Sequence, residues 1–230
     1  MNLIDTLRRL AEVQQRVFTA AGLRRLLHAV LRWQKLYIVV RNVDLADPET
    51  NSTHRSGESA IECDVLATKS ALFALKDEFP QSFRDSIERL AGRLADGCIV
   101  FVLRTGDALS KGNRIVGYSI CQPGVFSAFG GVRRISSDII FGHYLEFLPE
   151  YRGQGLKAIL DENRMEYCRR HGLRSLCGVI ASHNIASLKT SLRSGFRVAG
   201  ALRQVSIFGG LFVWQTSWKT LEKALNENLC

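Results

Sequence analysis

Arg152, Gly153, Gln154 and Gly155 stand where an apolar, strand-like run ending at Leu148-Pro149 meets a helical pattern, within the stretch YLEFLPEYRGQGLK from Tyr144 to Lys157. These residue types suit a phosphorylated ligand. Glycine has no Cβ, so a ligand can approach the main chain there. The unpaired N–H groups of a first helical turn, with the helix dipole behind them, attract a pyrophosphate. Arg152 adds charge-assisted bonds to phosphate oxygens.

Just upstream, the run Ile139–Phe147 carries two proton acceptors, His143 and Glu146. Strand alternation places Phe141, His143, Leu145 and Phe147 on one face and Gly142, Tyr144 and Glu146 on the other. An imidazole with a pKa near 6.5 suits proton transfer near neutrality. A hydrogen-bonded core histidine is the equal alternative, and a bulge would scramble the alternation. His171 and His183 read as turn residues. Six cysteines (Cys63, Cys98, Cys121, Cys168, Cys177, Cys230) lie far apart with no CxxC and no His/Cys cluster. That spacing reads as free thiols, with neither disulfides nor a metal expected.

The elements that must hold these residues follow from periodicity. Residues 2–34 read as one or two helices, followed by a short strand at Lys35–Val40. The polar stretch Asp44–Gly57, with His54, reads as a linker. Beyond it come a strand at Ala60–Leu66, helices at Ser70–Phe79 and Gln81–Leu94, and strands at Cys98–Leu103 and Arg114–Cys121. Pro123–Arg134 is aromatic and glycine-rich without clear period and reads as a loop over the site, with Phe126, Phe129 and Phe141 near an acceptor. The strand Ile139–Phe147, the helix Leu156–Arg170 with Gly172 as its cap, the strand Ser175–Ala181 and the helix Asn184–Arg193 follow. A hairpin about Gly209-Gly210 closes the pattern. The fold class is α/β, a mixed central sheet with helices on both faces, in which ligands sit at the carboxyl ends of strands. The expected divisions are an N-terminal arm over residues 1–43, a linker over 44–57 and the α/β unit over 58–230.

The chain has 230 residues and a net charge of +9. Residues 1–41 alone hold eight basic and two acidic side chains, a net +6. The arm can therefore touch an anionic membrane surface or a polyanion, or pack its apolar stripe on the domain behind it. No apolar run approaches the roughly 18–20 residues that span a bilayer, and Met1 leads into a mixed helix without a cleavage pattern. A cytoplasmic protein is the expectation, with peripheral contact to a membrane through the arm left open.

Two segments together resemble the GNAT superfamily of N-acetyltransferases. LEFLPEYRGQGLK at Leu145–Lys157 is similar to that family's coenzyme A signature, and NIASLKTSLRSGF at Asn184–Phe196 to its Asn-x-x-Ser…Gly-Phe segment. The resemblance implies transfer of an acetyl group from acetyl-CoA, or another acyl-CoA, to a primary amine by direct attack on the thioester. It implies cofactor contacts at Leu145, Glu146, Phe147, Arg152, Gly153, Gln154, Gly155, Leu156, Lys157 and Asn184. It favours a base on the Phe147 face, so His143 comes first and Glu146 second. Lys157 stands where the family carries a small residue; its stem can point outward and its ammonium can help a phosphate. Ser191 stands where many relatives carry a tyrosine acid, leaving Ser191, Tyr144, Tyr151 or water for that step. The expected partner is a small-molecule amine. Protein or long-chain acylation, a catalytically weak acyl-CoA-binding module, and a homodimer remain open.

Overall fold

A computed structural model describes residues 31–43, 60–106, 114–129, 131–207 and 212–215. The expectations for residues 2–30, for 44–57 with His54, for 107–113, and for the C-terminal segment with Cys230 lie outside these residues.

Ten strands and four α-helices are described. The first part of the chain gives β1 (Leu31–Asn42), β2 (Ala60–Leu66), α1 (Lys69–Ala74), α2 (Gln81–Ala95), β3 (Ile99–Gly106) and β4 (Arg114–Pro123). The second gives β5 (Val125–Ala128), β6 (Gly131–Arg134), β7 (Ile139–Phe147), α3 (Leu156–Arg170), β8 (Ser175–Ala181), α4 (Ile185–Arg193), β9 (Arg197–Ile207) and β10 (Phe212–Gln215). Eight strands make one sheet in the order β10-β9-β1-β8-β7-β4-β3-β2, and β5 and β6 make a separate hairpin. Every pairing is antiparallel except β7 with β8.

Both faces of the sheet are covered, which is why β3 is a nearly unbroken apolar run. On one face Leu156, Leu160, Met165 and Cys168 of α3 meet Val39, Phe101, Ile140 and Leu176. On the other, Leu72 of α1 and Phe83, Leu90 and Leu94 of α2 meet Val100, Val102 and Tyr118. Beside them, Phe126 and Ala128 of the hairpin cover Ile38, Val40, Ile139 and Phe141. The helix ends follow local chemistry. Pro80 stands at the N-cap of α2, Thr68 caps α1 through its hydroxyl, and Asn184 caps α4 through its side-chain oxygen.

Several sequence expectations change. The strand read at Lys35–Val40 begins at Leu31, inside the stretch read as helix, and lies between β8 and β9. It carries apolar side chains on both faces, with Val39 in one core layer and Ile38 and Val40 in the other. The helix read at Ser70–Phe79 stops at Ala74 and continues as a 3-10 turn over Lys76–Glu78. The segment read as a site loop is the β5–β6 hairpin, and Phe126 and Phe141 are core residues, 0% and 1% exposed. The C-cap of α3 is His171, with Gly172 following at φ 64°. Among the described residues no helix is long and apolar enough to cross a membrane.

Candidate active site

The site begins where the parallel pair parts. β7 and β8 pair only from Ile139 with Ser175 to Gly142 with Gly178. Beyond that point β7 stays with β4, to Gly117 opposite Phe147, and β8 stays with β1, to Leu36 opposite Ala181. The strands therefore open as a wedge, and α3 and α4 start from its two sides. A cleft of about 1050 Å³ lies at the mouth of this opening, between the end of β7 and the starts of α3 and α4. Leu145, Glu146 and Phe147 line it from β7, and Asn184 lines it from the start of α4. Arg152, Gly153, Gln154, Gly155, Leu156 and Lys157 supply the turn between them. All ten residues expected to contact the cofactor thus lie along one cleft.

The turn is built for main-chain access. Gly153 and Gly155 have φ of +79° and +80°, which a Cβ disfavours, and Gly155 is the N-cap of α3 with no side-chain cap. A Cβ at either position would meet nothing within 4 Å, so φ and not crowding demands glycine. Around them the loop is fixed by its own bonds. Arg152 Nε donates to the Phe147 carbonyl at 3.2 Å, and Gln154 Nε2 donates to the Glu150 carbonyl at 2.8 Å. The open cleft, the bare helix N-terminus and the exposed arginine fit a pyrophosphate-bearing ligand.

Comparison with solved structures agrees with this architecture. The tandem GNAT protein from the clavulanic acid biosynthesis pathway aligns with 86% of this chain at a TM-score of 0.51 and 13% sequence identity. The chain has a GNAT fold. It spans 59% of that structure's length. The GCN5-related N-acetyltransferase from Sphaerobacter thermophilus aligns with 84% of this chain and 58% of its own, at a TM-score of 0.47 and 14% identity. The aminoglycoside acetyltransferase AAC(6')-Iy aligns with 60% of this chain and 90% of its own, at 0.42 and 17%. No family profile and no curated protein matches the sequence.

Within this GNAT fold the strand β7 is bulged. Ile120 pairs with Tyr144 but Cys121 with Gly142, which leaves His143 as the extra residue. The bulge reverses the alternation read from sequence. Ile140 faces the α3 layer and Phe141 the hairpin layer, yet Leu145 and Phe147 pack against the α3 layer. His143 does not share the Phe147 face. Its Nδ1 lies 3.0 Å from Ser127 Oγ of the hairpin, and its ring stands edge-on to Phe141 at 4.8 Å. Its Nε2 is buried without a hydrogen-bond partner. Desolvation, with the Arg93 charge adding to it, pulls the imidazole down to about 4.

Glu146 sits in a polar network on the α2 side. Its Oε2 accepts from Tyr118 Oη at 2.9 Å and from Tyr144 Oη at 3.0 Å. Arg89 Nη2 donates to Tyr118 Oη at 3.0 Å and to Ser86 Oγ at 2.9 Å, and its guanidinium lies over the Tyr144 ring. Burial pushes the Tyr118 hydroxyl up to about 12. Tyr118, Arg89 and Ser86 carry no signal in the local motifs; they converge only once α2 packs on β4.

On the α3 side, Lys157 departs from expectation. Its ammonium turns inward to Asp161, and it lies 5.3 Å from the Phe196 ring centroid. Asp161 also accepts from Arg164 Nη1 at 3.1 Å. Asp161 and Arg164 were missed, although Lys157, Asp161, Arg164 and Cys168 recur at helical spacing on the stripe that carries Leu160. Ser191 is 2% exposed and lines a cavity of about 120 Å³ together with these three charges. Asn184 Oδ1 accepts from Ser187 N at 3.1 Å, so its oxygen is committed to capping α4. Cys98, Cys121, Cys168 and Cys177 are buried and Cys63 half-buried, and burial raises all five thiols. Among the described residues no group of three or more His, Cys, Asp or Glu side chains could hold a metal ion.

Proposed function

We propose that this protein is an acyl-CoA-dependent N-acyltransferase that acts on a primary amine of a small molecule. One observation carries the reading: the glycine turn, the bare start of α3, the end of β7 beyond its pairing with β8 and the start of α4 line one continuous cleft. Pyrophosphate suits the turn, and an extended pantetheine arm suits the unpaired edge of β7 beyond Gly142, where it can bond like an added strand. The GNAT fold supports the same assignment.

In the proposed reaction the amine nitrogen attacks the thioester carbonyl carbon. A C–N bond forms and the C–S bond breaks, sulfur leaving with the electron pair while the nitrogen loses a proton. No covalent intermediate on the protein is needed, and alignment of the two reactants supplies much of the rate. Glu146 is better placed than His143 to receive the proton, because Glu146 lines the cleft and its carboxylate is oriented by two tyrosine hydroxyls. Tyr144 is the better-placed donor to the leaving thiolate, since it lines the cleft and Ser191 is buried. A cytoplasmic site of action fits an acyl-CoA substrate.

The test is incubation with acyl-CoA and a panel of amines, with release of free thiol followed in time. Amine-dependent release supports the reading. Tight coenzyme A binding without release from any amine makes the chain a binding module instead.

A further inference from the structure

Lys157, Asp161 and Arg164 follow one face of α3, and that face turns into the protein. Asp161 is fully buried, and the side chains of Arg164 and Lys157 are 7% and 16% exposed. Asp161 receives both cations, so two positive charges share one negative charge away from water. Buried charge of this kind is stable when it is matched and hydrogen-bonded. Here the match is incomplete. Arg164 Nε is buried with no hydrogen-bond partner, and desolvation lowers the Lys157 pKa, with Asp161 opposing and Arg164 adding to the drop.

All three residues line the cavity of about 120 Å³, and His143, Tyr144, Ser187 and Ser191 are the other residues with polar side chains in its lining. The cavity shares Tyr144, Leu145, Lys157 and Ser187 with the large cleft, so a group threaded into the wedge reaches it. At roughly 30 Å³ for each water, it has room for about four, which is the size of a CH₂–COO⁻ group. Arg164 lies nine residues beyond Gly155, roughly 13 Å along the helix axis, too deep to serve a pyrophosphate at the turn. Glu146 and Arg89 bond Tyr118, which packs in the layer on the other face of the sheet, so the surplus charge is not on the side proposed for proton removal.

We infer that this cavity receives the free carboxylate of a dicarboxylic acyl group, and that the donor is an acyl-CoA of the malonyl or succinyl type. The inference rests on the acyl-CoA reading above. The carboxylate balances the second cation and is not altered by the transfer. Arg164 and Lys157 are specificity residues for the donor.

Calorimetric titration of the full-length protein with coenzyme A, acetyl-CoA, butyryl-CoA, malonyl-CoA and succinyl-CoA tests this. A hydrogen-bonded ion pair to a largely buried arginine should make malonyl- or succinyl-CoA bind about tenfold tighter than butyryl-CoA. Arg164→Gln should remove that preference. If the melting profile shows that this variant does not fold, Lys157→Met replaces it with the same expected loss. Equal binding of charged and uncharged acyl groups by the wild-type protein overturns the inference and leaves the acyl-CoA reading standing. Failure of coenzyme A itself to bind overturns that reading first. A charge preference that follows a carboxylate on the amine, with none for the donor, also overturns it.

Discussion

Burial holds the His143 imidazole at about 4, well below its ordinary 6.5, with Arg93 adding to the effect. The folded state therefore refuses a proton that the unfolded chain accepts. Stability contributed by neutral His143 is complete above about pH 6.5 and declines as pH falls from there toward 4. His143→Gln should flatten that decline, measured as the urea midpoint at pH 7 and at pH 4.5; parallel losses in both proteins would count against it. The two proton acceptors separate kinetically. Glu146→Gln should lower turnover by a factor on the order of 10² with coenzyme A affinity nearly unchanged, the scale expected for loss of a general base. His143→Ala should lower turnover less than Glu146→Gln does. The reverse ranking in steady-state kinetics would return the role to His143.

At the scale of elements, the turn into α3 can be probed by strain and by charge separately. Gly155→Ala forces a Cβ into φ +80° with nothing to clash against, so it should cost about 1–2 kcal/mol in denaturant unfolding. Arg152→Glu should leave stability nearly unchanged and weaken coenzyme A binding severalfold, read by calorimetry. Unchanged affinity there would remove the turn from the site. The pieces of this region were legible in the sequence because each is local. The limits of β7, α3 and β8 follow from apolar period, Pro149 and the glycines, and the cleft residues lie within those pieces. What stayed hidden depends on distant partners. The bulge at His143 is a matter of register against β4, and it inverted the faces that simple alternation assigned. The inward turn of Lys157 depends on Asp161 and on the layer beneath it. The hairpin β5–β6 has too few residues in each strand to show a period.

At the scale of the whole molecule, β1 changes what counts as the domain. It pairs with β8 from Leu36 to Asn42 and with β9 from Leu31 to Val40. Among the described strands, β1 is what joins β9 and β10 to the rest of the sheet by hydrogen bonds. A chain beginning at residue 58 should show no cooperative unfolding by circular dichroism, whereas one beginning at residue 31 should retain it. A sharp transition in the shorter chain would show that the sheet closes on itself without β1.

The position of β1 also bears on how the molecule is made. Leu36 leaves the ribosome long before Ala181 and Leu202, its partners on either side. Through most of synthesis this apolar strand has neither neighbour, and contacts so distant in sequence form slowly. Interrupted chains would therefore carry an unpaired, sticky strand near the N-terminus. The first of the described strands to be made is among the last to be enclosed, and closing it completes the wedge between β7 and β8.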